Sequence, residues 1–340
     1  MQSFLKKQWF LIALVVLIAA GLAVGRSLDK PHLAQLTELI QPRIVTAFVL
    51  FLMSFSLDSR QLQASFRAPK PVLWASLVNL GLVPLMAWGL MPLQQSRDFA
   101  VGLMIAASVP CTLAAASVWT RKAAGNDAVS LLVTLLTNGV CFLVTPFWLN
   151  MTTVGKTELP MQDMIVQLFV SVVLPSLAGQ LLQHVPPAGR FSMRHKTAIG
   201  VLAQACILTM VFSAAVKAGT AIESTGPGAT ASGVFIVWGS VIVLHLAAMV
   251  VALFGARRFR FSQADCAAVA FSASQKTLPI GLLLATDPKM FGNPTLGLPF
   301  AVFPMLMYHA SQLFIDTAVA DRWAAKARRD NQEPTEETPL

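Results

Sequence analysis

Charge is what this sequence has least of. Only 12% of its 340 residues are Asp, Glu, Lys or Arg and 55% are hydrophobic, where soluble domains average about 25% charged. With a mean hydropathy of +0.65, that scarcity excludes a soluble globular chain and predicts an integral membrane protein. Long polar linkers are missing too, so no separate soluble domain is expected. Cysteines number four. Cys111, Cys141, Cys206 and Cys266 lie in apolar segments without metal-type spacing, which sets aside disulfides and zinc and leaves small buried hydrophobes. The apolar spans contain no GxSxG, HExxH or paired aspartates, so an intramembrane enzyme is not expected.

What the chain does have is apolar stretches, each close to the roughly 20 residues that cross a bilayer. A first set covers residues 9–25, 44–57, 71–91, 99–120 and 128–149, and a second covers 164–182, 198–216, 233–254, 264–285 and 296–319. The second span is short and is expected to extend back past Pro42 or to tilt little. Five spans followed by five more, inserted in the opposite sense, is the arithmetic of an inverted repeat over 1–150 and 151–320, with a polar tail at 321–340 expected to be disordered. Between spans, DKPHLAQLTELIQP reads as a surface-lying turn of helix, LDSRQLQASFRAPK as an amphipathic cytoplasmic piece, and HVPPAGRFSMRHK and AGTAIESTGPGATAS as loops.

The net charge of +9 invites a nucleic-acid reading, and its distribution argues against one. Arg26, Lys30, Arg43, Arg97, Lys156, Lys217 and Lys289 fall on the odd-numbered connections. Every other basic residue except Lys276 falls on the even-numbered connections or the termini. That split follows the positive-inside rule with both termini in the cytoplasm.

Lys276 stands apart. It lies in the middle of the ninth span, within FSASQKTLPIGLLLAT (residues 271–286), too deep to snorkel to water. A cation there costs about 2.5 to 3.5 kcal/mol on insertion scales unless it faces a cavity or a partner. Pro279 removes a helical hydrogen bond at the same depth, and a disrupted helix in lipid is tolerated only where protein or a wet cavity satisfies the freed backbone. The fourth span carries a matching feature, Pro110 inside SVPCTLAAAS (residues 108–117). A pair of interrupted helices in corresponding positions of two halves points to a mid-membrane transport site. The candidate site is therefore Lys276, Gln275, Ser274 and Ser272 on span nine and Thr112 and Ser117 on span four. Asn79 at mid-depth of span three joins them, with Ser130 and Thr134, which share one face of span five.

Plainer readings exist for each. Lys276 read structurally is a cation parked at a helix break on carbonyls, and Asn79 is interhelical glue. Ser130 and Thr134 would then bond their own i−4 carbonyls. His245 and His309 read as packing or hydrogen-bonding residues, and Asp127 as the cap of span five. A retinal-type pigment also keeps a membrane lysine, but ten spans and the lack of a carboxylate counter-ion in Lys276's own segment speak against it.

SVPCTLAAASVWTRKAAGNDAVSLLVTLLTN, LFLMSFSLDSRQLQASFRAPK, VVLPSLAGQLL and FSASQKTLPIGLLL resemble the bile acid:sodium symporter family. The likeness is to its divergent bacterial branch, related to a eukaryotic member type with a lysine on span nine. The resemblance implies ten transmembrane helices in two inverted five-helix repeats, a core of spans 3–5 and 8–10, a panel of spans 1, 2, 6 and 7, and crossing broken helices four and nine. It matches Asn79, Ser130, Thr134 and Gln275 to sodium-site positions. At most one hydroxyl, that of Ser117, survives from the family's Ser-Asn pair. The family's sodium-site glutamate has no acidic counterpart, because Phe271 falls there, and Lys276 follows the glutamine. The sodium sites are thus vestigial, and no metal site is assigned.

The expectation is a secondary active transporter of an organic, anionic and amphipathic solute working by alternating access. It would be proton-coupled or sodium-independent, with H+ or Na+ as the coupling ion, no other cofactor and no nucleic-acid partner. The alternatives are a non-transporting membrane regulator of calcium homeostasis and a conventional sodium symporter with rearranged sites. Its surroundings would be the lipid bilayer of a bacterial inner membrane.

Overall fold

The computed structural model describes residues 2–27, 40–57, 69–153, 161–225, 230–293 and 296–330, and every regular element among them is helical. The chain begins with α1 (Gln2–Ser27) and α2 (Pro42–Phe55). Next, α3 (Pro69–Leu77) passes through a π-helical turn (Val78–Leu82) into α4 (Val83–Leu90). Then come α5 (Arg97–Ser108), α6 (Ala115–Lys122) and α7 (Asp127–Thr153). A second π turn (Phe169–Val173) joins α8 (Met161–Leu168) to α9 (Leu174–His184), followed by α10 (Pro186–Arg194), α11 (Lys196–Thr225) and α12 (Ala231–Arg258). The last three are α13 (Gln263–Ser274), α14 (Leu278–Thr286) and α15 (Phe303–Asp330). Seven helical stretches among the described residues are long and apolar enough to cross a membrane.

Apolar side chains cover the outside as well as the core. Phe235 and Phe254 are 71% and 74% exposed, a surface suited to hydrocarbon rather than water. Between helices, small residues let backbones approach. Gly21 and Gly25 of α1 lie one turn apart against Ala215 and Gly219 of α11, so close that a Cβ on Gly25 would stand 2.2 Å from the Val216 carbonyl oxygen. Small residues spaced four apart are the usual means of tight helix crossing in lipid, where apolar burial gives helices no reason to associate.

The α13–α14 stretch is the axis of the molecule. Its apolar window is 100% buried, against 22% for that of α1. α13 packs on α12, α3, α7 and α6, while α14 meets α2 and α11. Whatever sits at its midpoint is shielded on every side.

Several boundaries differ from the sequence reading. Pro42 opens α2 at its first position, so the second span does not extend back past it. The HVPPAGRFSMRHK segment is not a loop but holds α10, started by Pro186, because proline's fixed φ suits a first helical turn. The Gly/Ser/Thr-rich connection is helical as far as Thr225. Pro299 and Pro304 delay the last helix to Phe303, and it then runs to Asp330, so residues 321–330 are helical rather than disordered. The expected surface turn and amphipathic piece fall largely on 28–39 and 58–68, and residues 331–340 end the tail; all lie outside the described residues.

Candidate functional site

Two helix interruptions face each other at the centre. α5 stops at Ser108 and α6 starts at Ala115, with Pro110 in the gap; α13 stops at Ser274 and α14 starts at Leu278, with Pro279 in its first turn. The gaps touch. The Thr277 N–H donates to the Pro110 carbonyl at 2.9 Å, and Thr112 Oγ1 donates to Gln275 Oε1 at 2.8 Å.

Backbone groups released by a break cost several kcal/mol each if left bare in hydrocarbon, and side chains take them up here. On the α5–α6 side, Thr137 accepts from the Cys111 N–H at 3.3 Å, while Asn138 and Thr134 donate to the Cys111 and Thr112 carbonyls at 2.8 and 3.2 Å. On the α13–α14 side, Gln312 of α15 holds both backbone groups of Lys276, accepting from its N–H at 2.9 Å and donating to its carbonyl at 3.0 Å. Asn79 Nδ2 donates to the Ser272, Ala273 and Gln275 carbonyls at 3.1, 3.1 and 2.9 Å.

Lys276 is wholly buried, and its ammonium enters a cage of neutral oxygens. Nζ donates to the Asn79 carbonyl at 2.6 Å, the Val109 carbonyl at 2.9 Å and Asn79 Oδ1 at 3.3 Å. The two carbonyls are available because helices are irregular there. The Val83 N–H reaches back to Val78 in the π turn, which leaves the Asn79 carbonyl without its usual i+4 donor. One residue on, Pro84 cannot serve the Leu80 carbonyl, and Trp148 Nε1 donates to it instead at 2.7 Å. Val109 caps α5, at the end where carbonyls point outward and the helix dipole is negative. The three contacts match the three donors that an ammonium carries.

No carboxylate was expected beside Lys276 from its own segment; one arrives from α15. Asp316 is fully buried. It accepts from Gln275 Nε2 at 2.6 Å and meets His245 Nε2 at 2.9 Å. The other ring nitrogen, Nδ1, lies 3.2 Å from the Ser274 carbonyl, which also accepts from the Tyr308 hydroxyl at 2.7 Å. An acid inside the tenth apolar stretch was a legible signal; that its partner is His245 became visible only from the packing of α12 against α15. His309 accepts from Gln312 at 2.8 Å and serves that brace.

The other candidates divide. Ser130 and Ser272 pair with each other at 2.9 Å, and Ser274 bonds back to its own helix at Ala270 at 2.9 Å. Ser117 lies outside the crossing, hydrogen-bonded to Asp127 and accepting from Arg121 at 3.0 Å at the α6–α7 turn. The sodium-type positions thus form hydrogen-bonded pairs rather than converging lone pairs. Asn79 turns its oxygen to the ammonium, and Thr134 gives its proton to a carbonyl.

A family model described as the SBF-like CPA transporter family matches residues 8–325. The sodium/bile acid cotransporter 7 of Xenopus tropicalis is 23% identical over 334 residues, covering 93% of this chain and 91% of that protein. The protein of the same name in Danio rerio is 23% identical over 332 residues, 92% of this chain and 93% of its own length. An uncharacterized protein of Pseudomonas aeruginosa is 26% identical over 259 residues, covering 75% and 72%.

Proposed function

The chain belongs to the SBF-like CPA transporter family, a family of membrane transporters related to the bile acid:sodium symporters, and from that premise we propose a secondary active transporter of a small organic anion that works without sodium. In this reading α2, the α5–α6 pair and α15 join the seven long stretches to make ten spans in two inverted repeats. Spans 3–5 and 8–10 form the core, spans 1, 2, 6 and 7 the panel, and both termini lie on the cytoplasmic side of a bacterial inner membrane.

One observation carries the proposal: a buried ammonium occupies the oxygen cage where the broken helices meet. A second cation about 4 Å away would meet a repulsion of roughly 4 kcal/mol at an effective dielectric near 20, more than a few neutral oxygens offset. Lys276 is then the resident cation of the crossing. Proton exchange at Lys276 stands where sodium binding would otherwise couple transport. The ammonium reaches a solute only when the Asn79 and Val109 carbonyls separate, which ties its release to movement of the crossing.

The test is a thermal-stability screen of organic anions at two pH values with and without sodium, followed by uptake of any stabilising anion into proteoliposomes. Ligand binding to the folded state raises stability. Uptake driven by a pH gradient and indifferent to sodium is expected. Sodium-driven uptake that persists unchanged in Lys276→Gln would reject the proposal in favour of a symporter with rearranged sites. The dense hydrogen bonding at the crossing also suits a non-transporting membrane regulator, and that reading takes over if no anion stabilises the protein and none is taken up.

A further inference from the structure

Another polar site lies at the far end of α14, the end opposite Arg257, Arg258 and Arg260. A cavity of about 310 Å3 opens where the start of α2, α11 and the end of α14 meet, and its charged lining is Arg43, Lys217, Asp287 and Lys289. Asp287 follows α14 directly. Its side chain is 2% exposed, and Arg43, 30% exposed, clamps it with two parallel bonds, Nε to Oδ2 at 2.5 Å and Nη2 to Oδ1 at 2.6 Å. The Lys289 N–H donates to the same Oδ1 at 2.8 Å. Lys217 lines the same cavity as Asp287, yet neither Lys217 nor Lys289 forms an ion pair among the described residues. Three cations share one carboxylate in a half-enclosed pocket.

Arg43 and Lys217 stand on α2 and α11, which pack on each other; Asp287 and Lys289 belong to the end of α14. The Arg43–Asp287 clamp therefore ties together the two sets of helices that alternating access would move apart. Thr46 bonded to the Pro279 carbonyl at 3.4 Å lies on the same contact line.

We propose that this cavity binds the carboxylate or sulfonate head of a soluble organic anion, which takes the place of Asp287 on Arg43, is held by Lys217 and Lys289, and frees α14 from α2. A bidentate guanidinium fits either head group. The inference deepens the transporter reading above, on which its role as a substrate mouth rests, by assigning the head group and the latch.

The test uses the full chain in phosphatidylcholine nanodiscs at low ionic strength, with thermal unfolding titrated against benzoate and benzenesulfonate and benzamide as the uncharged control. Both anions should stabilise saturably and benzamide should not. Lys217→Gln with Lys289→Gln should weaken the anion effect by about tenfold or more, and Asp287→Asn should strengthen it by about tenfold because Arg43 loses its competitor. Lys289→Gln alone, at an exposed position, should weaken it by about threefold and keeps the test readable if the double variant does not fold. Equal stabilisation by benzamide, a double variant that titrates like wild type, or weaker binding in Asp287→Asn would each overturn the assignment. Stabilisation by added phosphatidylglycerol and not by benzoate would make the occupant a lipid head group and also overturn it. Anion binding with these variant effects but no uptake of any anion would uphold the site and sink the transporter reading.

Discussion

Lys276→Met removes the ammonium and keeps an unbranched apolar side chain. Two terms oppose each other. Relieving a buried cation favours the variant, since the effective penalty for burying an ion is several kcal/mol. Against that, the Asn79 and Val109 carbonyls, which Nζ holds at 2.6 and 2.9 Å, lose their donor at a depth where water does not replace it, at about 1–3 kcal/mol each. Asn79 Oδ1 at 3.3 Å adds a smaller loss. The cage is already built of carbonyls freed by the π turn and the end of α5, so the variant keeps the cost of both irregularities and loses their compensation. The lost donors cost about 2–6 kcal/mol and the relieved cation returns several, so in Lys276→Met alone the two terms nearly cancel. The sharper readout is the coupling, followed by unfolding temperature in one detergent at fixed ionic strength. Lys276→Met combined with Asn79→Leu should cost about 0.5–3 kcal/mol less than the sum of the two single changes, because the groups act on each other. Additive effects of the two would refute the cage.

Trp148→Phe leaves the Leu80 carbonyl bare beside Pro84 and should destabilise by about 1–3 kcal/mol; an unchanged unfolding temperature would remove Trp148 from the bracing of the π turn. Gly25→Ala would set a Cβ 2.2 Å from the Val216 carbonyl oxygen and push α1 off α11, at about 1–3 kcal/mol, measured the same way; a neutral result would mean that this crossing gives way easily.

The outline of this membrane protein was legible because hydrophobic length and the placement of Arg and Lys are one-dimensional properties. The two interruptions were legible for the same reason, since Pro110 and Pro279 stand beside small residues at matching places. Lys276, Asn79, Gln275 and Thr112 were singled out by depth and polarity, and the structure gathers them. Ser117 carried the same signals but turns to Asp127 and Arg121, because a residue past the break faces wherever the new helix points. The π turn at Val78–Leu82 left no mark that a lone proline in a span does not also leave. Gln312 and Asp316 come from the last helix, 36 and 41 positions from the groups they hold, and local patterns are silent about such pairings. The Asp316 carboxylate belongs to α15, and only the fold brings it to the break in the α13–α14 stretch.

Equilibrium binding of radioactive sodium to the purified protein, beside Lys276→Gln, bears most directly on whether the lysine is the resident cation of the crossing. Wild type should bind no sodium in stoichiometric amount, and Lys276→Gln, with the cage vacated, should bind more than wild type does. Stoichiometric sodium binding by wild type, undiminished and unchanged in the variant, would contradict it.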